Sequence, residues 1–183
     1  QYDTITEVMW VTGAALFIRL ADYREVGGLD GHFFAHMEEI DLCWRLRSRG
    51  KKLVCIPQSV VYHVGGATLK KENPRKTFLN FRNNLLMLYK NLPDKELEHV
   101  LFIRGILDRV AALVFYLKKD RANARAVMQA RREFEDIRYS FAASRIENMM
   151  KSTDEIIPER THFSIVMKYY LLGKKHFSQL KLF

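Results

Sequence analysis

The sequence predicts two joined parts: a mixed α/β unit over residues 1–70 and a mostly α-helical extension over residues 71–183. Three observations predict this. Seven of the nine glycines lie before residue 70, among apolar runs of strand length. Beyond it only Gly105 and Gly173 interrupt long stretches of helical period. Charge divides in the same place. Residues 1–69 carry seven Lys and Arg against eight Asp and Glu, whereas residues 70–183 carry 23 against 13. The whole basic excess of this 183-residue chain therefore sits in the second part, and a boundary falls near residues 69–75.

In the first part, Val8–Val11 and Ala15–Ile18 read as strands around the turn Thr12-Gly13-Ala14. Asp22–Val26 is a short helix closed by Gly27-Gly28, and Glu38–Arg49 a longer one closed by Gly50. Lys52–Pro57 and Val60–Val64 complete the strands. In the second part Pro74 starts a helix to about Asn91, and Pro93-Asp94 starts another to about Lys119. A third is expected from Arg121 to Met150, and a fourth after Pro158. Along the second of these, Leu97, Val100, Leu101, Ile103, Leu107, Val110, Leu113, Val114 and Leu117 recur at the spacing of an amphipathic helix.

With 48% hydrophobic and 28% charged residues, the chain is neither disordered nor fibrous. Cys43 and Cys55 are too few and wrongly spaced for a disulfide framework or structural zinc, so reduced thiols are expected. The opening Gln1-Tyr2-Asp3-Thr4 has no basic region followed by an apolar run, so no signal peptide is expected, and the start resembles a cut piece. Leu101–Leu117 contains Arg104, Asp108 and Arg109, which are costly at a bilayer centre, so no membrane span is expected.

The densest chemistry runs from Phe33 to Arg47, where Glu38, Glu39 and Asp41 crowd a helix start. Acids favour the positive end of a helix, and Asp41 with Arg45 makes an i,i+4 pair, which is one sufficient account. The other is that one carboxylate is a general base that takes a proton from an incoming hydroxyl. His63, at a strand end before Gly65-Gly66, is either structural or placed to meet a metal ion or a phosphate.

The order of the pieces resembles the back half of the catalytic domain of family-2 glycosyltransferases, which have the GT-A fold. The pieces are Trp10-Val11-Thr12-Gly13-Ala14, Val26-Gly27-Gly28-Leu29-Asp30, Phe33-Phe34, Glu38-Glu39-Ile40-Asp41-Leu42-Cys43-Trp44-Arg45, Gly50 and Val61-Tyr62-His63-Val64-Gly65-Gly66, within Met9–Thr68. In that family the acidic pair is usually Glu-Asp, and its second member is the base of inverting transfer. The resemblance therefore makes Glu39 the base, with Glu where Asp is usual; Glu38 and Asp41 are the alternatives. Trp10, Thr12 and Gly13 would line the acceptor and donor-sugar pocket, with Arg45 binding substrate. His63 would ligate a divalent cation, Mn²⁺ or Mg²⁺, completed in that family by an Asp-x-Asp motif that this sequence lacks.

Phe81-Arg82-Asn83-Asn84-Leu85 through Lys90-Asn91-Leu92-Pro93 resembles the helix that follows the catalytic domain in bacterial members building surface polysaccharide. The expected partners are a nucleotide-sugar donor and a glycan or lipid-linked acceptor. The expected place is the cytoplasm, peripheral at the inner face of the plasma membrane. There the helix bearing Phe81, Leu85 and Leu88 would lie in the plane of an anionic surface among Lys and Arg. Nucleic acid suits a pI near 9.6 but finds no reading motif. Bare sheet edges would favour self-pairing into an oligomer. The chain is thus expected to be the acceptor half of an inverting, metal-dependent transferase, inactive alone without its donor half. The competing reading is a non-catalytic basic helical adaptor on a membrane surface or nucleic acid.

Overall fold

The computed structural model describes residues 3–64, 73–153 and most of 157–179. Its strands are two short segments, β1 (Thr6–Glu7) and β2 (Val54–Cys55), paired antiparallel with Thr6 opposite Cys55. Val8–Val11, Ala15–Ile18 and Val60–Val64, expected as strands, are not strands. Gly13–Ala15 makes a single 3₁₀ turn, with the Thr12 hydroxyl accepting from the Ala14 amide. A strand needs a neighbour to take its backbone hydrogen bonds along its length; the Val8 amide donates to the Leu53 carbonyl at 3.0 Å, but among the described residues none of these segments pairs as a ladder. Val8, Val11, Leu16 and Ile18 pack partly buried against the core, whereas Phe17, at 89% exposure, and Tyr62, at 96%, stand in solvent. Gly65, Gly66 and Thr68, with part of the expected boundary, lie outside the described residues.

The helices follow the sequence more closely. α1 (Leu20–Glu25) ends at Gly27 and Gly28, both at positive φ, and α2 (Glu38–Ser48) ends at Gly50. α3 (Pro74–Asn91) opens with Pro74 in its first turn and with the Asn73 side chain accepting from the Arg75 amide at 2.9 Å. α4 (Asp94–Leu117) and α5 (Arg121–Ile137) form a hairpin, and α5 is capped by Asp120. The single helix expected over 121–150 is broken by a 3₁₀ turn at Arg138–Phe141 before α6 (Ala142–Lys151). No Gly or Pro marks the break; packing does. The turn sends Phe141 into the core and lets Arg145 reach the carbonyls of Tyr89 and Leu92 at the end of α3. α7 (Ile165–Tyr170) follows Pro158 as a short helix.

α3 is the central helix, packed on α5 and also against α6, α2 and α4. This corrects the expectation of an in-plane α3. Leu85 and Leu86 are fully buried and Phe81 and Leu88 partly so, which leaves no apolar face for lipid. The main core joins Leu85, Leu86, Tyr89, Leu97, Leu101 and Phe134 to Phe33 and Trp44 from before residue 70. A second cluster, Val26, Leu42, Cys43, Leu46 and Leu53, lies on the other side of α2. α2 is therefore enclosed from Asp41 to Arg47, and residues on either side of the expected boundary share one interior. Cys43 and Cys55 are both free thiols. No helix among the described residues is long and apolar enough to cross a membrane.

Candidate active site

The carboxylate cluster stands at the first turn of α2, after an unusual stretch of backbone. Phe34, His36 and Met37 all hold positive φ, at 62°, 70° and 74°. Side chains at such angles strain the backbone by about 1–3 kcal/mol each, so something must hold them. Asn83 of α3, fully buried, places its amide nitrogen 2.9, 2.8 and 2.8 Å from the carbonyls of Phe33, Ala35 and His36. Arg82 donates to the His32 carbonyl at 3.0 Å and pairs with Glu133 at 2.7 Å. The start of α2 is thus shaped from the helical extension.

Glu39 is half-buried, and its carboxyl is pushed up from the usual value, chiefly by burial. Backbone donors at the helix start and the charge of His36 oppose the shift, while Glu38 adds to it. One oxygen of Glu39, one of Glu38 and Nε2 of His36 are buried without a hydrogen-bond partner. Gly13 lies against the base of Glu39: a Cβ there would stand 3.7 Å from the Glu39 Cβ. The 3₁₀ turn of Thr12 and Gly13 and the first turn of α2 therefore form one corner, with Trp10 half-exposed a few residues before it. His36 carried no sequence signal as a member of this corner.

Asp41 and Arg45 are placed otherwise. Asp41 is fully buried with both oxygens engaged, Oδ2 by Arg45 at 2.8 Å and Lys90 at 3.0 Å, Oδ1 by Asn91 at 2.7 Å. Arg45 also donates to the carbonyls of Val26 and Gly28, tying α2 to the turn after α1. At that turn a Cβ on Gly28 would sit 2.9 Å from the Tyr23 ring, so only glycine fits. Sequence reasoning quoted Lys90, Asn91 and Asn83 within a helix motif and missed their task, which is to grip the 30–41 segment from α3.

His63 lies exposed after β2, on a segment without regular secondary structure. Among the described residues no group of three or more His, Cys, Asp and Glu could hold a metal ion. A lone imidazole does not make a divalent-cation site, so these residues do not fit one.

Asp30 adds a titratable strut. Burial alone would raise its pKa, but the Lys90 ammonium at 2.7 Å, with help from His32, holds it down at about 2. A depressed carboxylate contributes stability that is complete above its unfolded value near 3.8 and is lost as pH falls through the folded value. Acid unfolding curves should therefore show a loss of stability between about pH 4 and pH 2. Asp30→Asn should flatten that limb; an unchanged acid limb would remove Asp30 as its source.

No protein-family model and no solved structure matches the chain. Curated relatives do. It is 31% identical over 141 residues, 71% of its own length, to the pre-mycofactocin glycosyltransferase of Mycobacterium tuberculosis. It is 38% identical over 56 residues, 31% of its length, to the N-acetylglucosaminyl-diphospho-decaprenol L-rhamnosyltransferase of the same organism. It is 36% identical over 61 residues, 33% of its length, to rhamnosyltransferase WbbL of Escherichia coli. The chain is similar to parts of these glycosyltransferases. It spans 29%, 18% and 22% of the lengths of these three proteins. The 71% coverage by the first cannot be confined to residues 1–70, so the similarity to that glycosyltransferase extends into the helices beyond them.

Proposed function

We propose that this chain carries the acceptor side and the general base of an inverting, family-2 glycosyltransferase of the GT-A type. The sugar would come from a nucleotide-sugar donor. The acceptor would be a glycan or lipid-linked sugar, as the name of the N-acetylglucosaminyl-diphospho-decaprenol rhamnosyltransferase suggests. The observation that carries the reading is Glu39, half-buried, with raised proton affinity and an unpartnered oxygen in a corner floored by Gly13.

In this mechanism the Glu39 carboxylate removes the proton of the acceptor hydroxyl as its oxygen attacks the anomeric carbon. The bond from that carbon to the diphosphate oxygen breaks, and the nucleoside diphosphate departs with the electron pair. Glu38, next to Glu39 with its own unpartnered oxygen, raises the base's proton affinity rather than sharing its task. Trp10, Thr12 and Gly13 would border the acceptor. Gly13 keeps the floor low, so that the substrate backbone or ring reaches the carboxylate.

Asp41 is too enclosed to meet a hydroxyl, and Arg45 too committed to carbonyls to bind substrate. A divalent cation, Mn²⁺ or Mg²⁺, would need donors beyond His63. The exposed apolar residues Phe17, Tyr62 and Val64 fit a surface that a donor-binding half would cover. The test is transfer from a panel of nucleotide sugars to polyprenyl-diphosphate-linked N-acetylglucosamine, using the chain joined to a donor-binding half from a relative. Transfer that depends on both halves is expected. A folded fusion that binds a nucleotide sugar but transfers to no acceptor would overturn the reading.

A further inference from the structure

α4 carries apolar side chains on two sides. The side it turns toward the bundle is built from Leu97, Leu101, Gly105, Asp108 and Ala112. Buried Asp108 is there bonded to Arg131 of α5 at 2.9 Å and to Arg104 at 2.8 Å. The side it turns outward carries Phe102, Ile106, Val110, Leu113 and Leu117, exposed by 49–70%, at the i, i+4 and i+3 steps of one continuous stripe. Beyond its core-facing Leu97 and Leu101, this helix therefore carries a second apolar stripe on the side away from the bundle.

The stripe ends at a concentration of unpaired positive charge. Most arginines of the chain are tied to a carboxylate, among them Arg45, Arg47, Arg82, Arg131, Arg145 and Arg160. Lys118 and Lys119 after α4, and Arg121, Arg125 and Arg132 along α5, form no ion pair among the described residues and are exposed. The nearby acid Asp120 is already engaged by Asn123 at 2.7 Å. Leu113, Tyr116 and Met128 share an open groove of about 760 Å³ with Arg121, Arg125 and Arg132. Apolar and cationic side chains thus occupy one face.

We infer that the outer face of α4, with the cationic groove beside α5, docks on an anionic lipid bilayer. Leu113, Leu117 and Val110 would enter the acyl boundary, while Arg121, Arg125, Arg132, Lys118 and Lys119 meet headgroup phosphates. Charge complementarity selects this occupant over a second copy. A two-fold contact through the same face would press these five cations against their own images, on a chain of net charge +9. The inference does not depend on the transfer reaction, since it uses none of the residues around Glu39.

Co-sedimentation of the 183-residue chain with vesicles tests it, comparing phosphatidylcholine alone with equal parts of phosphatidylcholine and phosphatidylglycerol. Wild type should bind the anionic vesicles and release as salt rises. The triple change Arg121→Ser, Arg125→Ser and Arg132→Ser should lower partition on the order of 100-fold, at about a fivefold step for each charge removed at the surface. Leu113→Asn with Leu117→Asn should abolish binding while leaving the circular dichroism spectrum unchanged, because both side chains are exposed. Arg24→Ser with Phe17→Ser, exposed elsewhere, should bind as wild type. Equal binding to both vesicle types, retention by the Leu113 and Leu117 variant, or a wild-type dimer in sedimentation equilibrium that this variant dissociates would each overturn the proposal.

Discussion

Glu39→Gln, in a transfer-competent fusion, is expected to lower turnover by about 10²–10⁴-fold, the usual worth of a general base, with donor affinity nearly unchanged. The amide keeps the shape and packing against Gly13 but cannot accept the hydroxyl proton. Stability should move the other way. Because burial raises the proton affinity of Glu39, its ionised form costs the fold something at neutral pH, and stability falls as pH rises through that raised value. The glutamine variant is thus expected to be at least as stable as wild type while nearly inactive. The wild-type rate should decline on the acid side with a midpoint above the ordinary glutamate value. Single-turnover rates across pH, beside urea unfolding of both proteins, make the comparison. Near-normal turnover in the variant would remove Glu39 from the role and leave Glu38 as the candidate.

Asn83, Lys90 and Asn91 show where the sequence was readable and where it was not. The start of α2 was legible because three acids at a helix start and a closing Gly50 are local signals. The start of α3 was equally legible in Asn73-Pro74. What holds the corner was not legible. The positive φ of Phe34, His36 and Met37 falls on residues with no such preference, and its support comes from Asn83, 47 to 50 residues away. Local propensity carries no information about a carbonyl that distant, so the motif on α3 could be matched to a family but not given its physical task.

The strands failed for a related reason. Ala15–Ile18 and Val60–Val64 have the composition of strands, but strand formation is a property of pairs, and among the described residues neither segment has a paired strand. Likewise, the helical period of α4 announced an amphipathic helix but not which side would face the bundle. The buried Asp108 with Arg131 fixed that choice and left Leu113 and Leu117 outside.

Asp41→Ala should destabilise the fold by about 3–5 kcal/mol, because it removes one partner from a buried ionic network and strands the others. Lys90, nearly fully buried, would keep Asp30 and the face of the Phe33 ring, and Arg45 would keep the carbonyls of Val26 and Gly28. The Asn91 amide, which also donates to the Met87 carbonyl and lies 3.2 Å from Asn148, would lose its carboxylate. These contacts join α2 to α3 and α6, so the loss is expected as a single cooperative shift of the urea midpoint rather than as local fraying. A catalytic Asp41 predicts the opposite pattern, a normal midpoint with turnover removed. The two carboxylates, two positions apart on one helix, are therefore separated by opposite behaviour. Glu39 is half-buried, unpartnered at one oxygen and expendable for folding, whereas Asp41 is closed, saturated and needed for it.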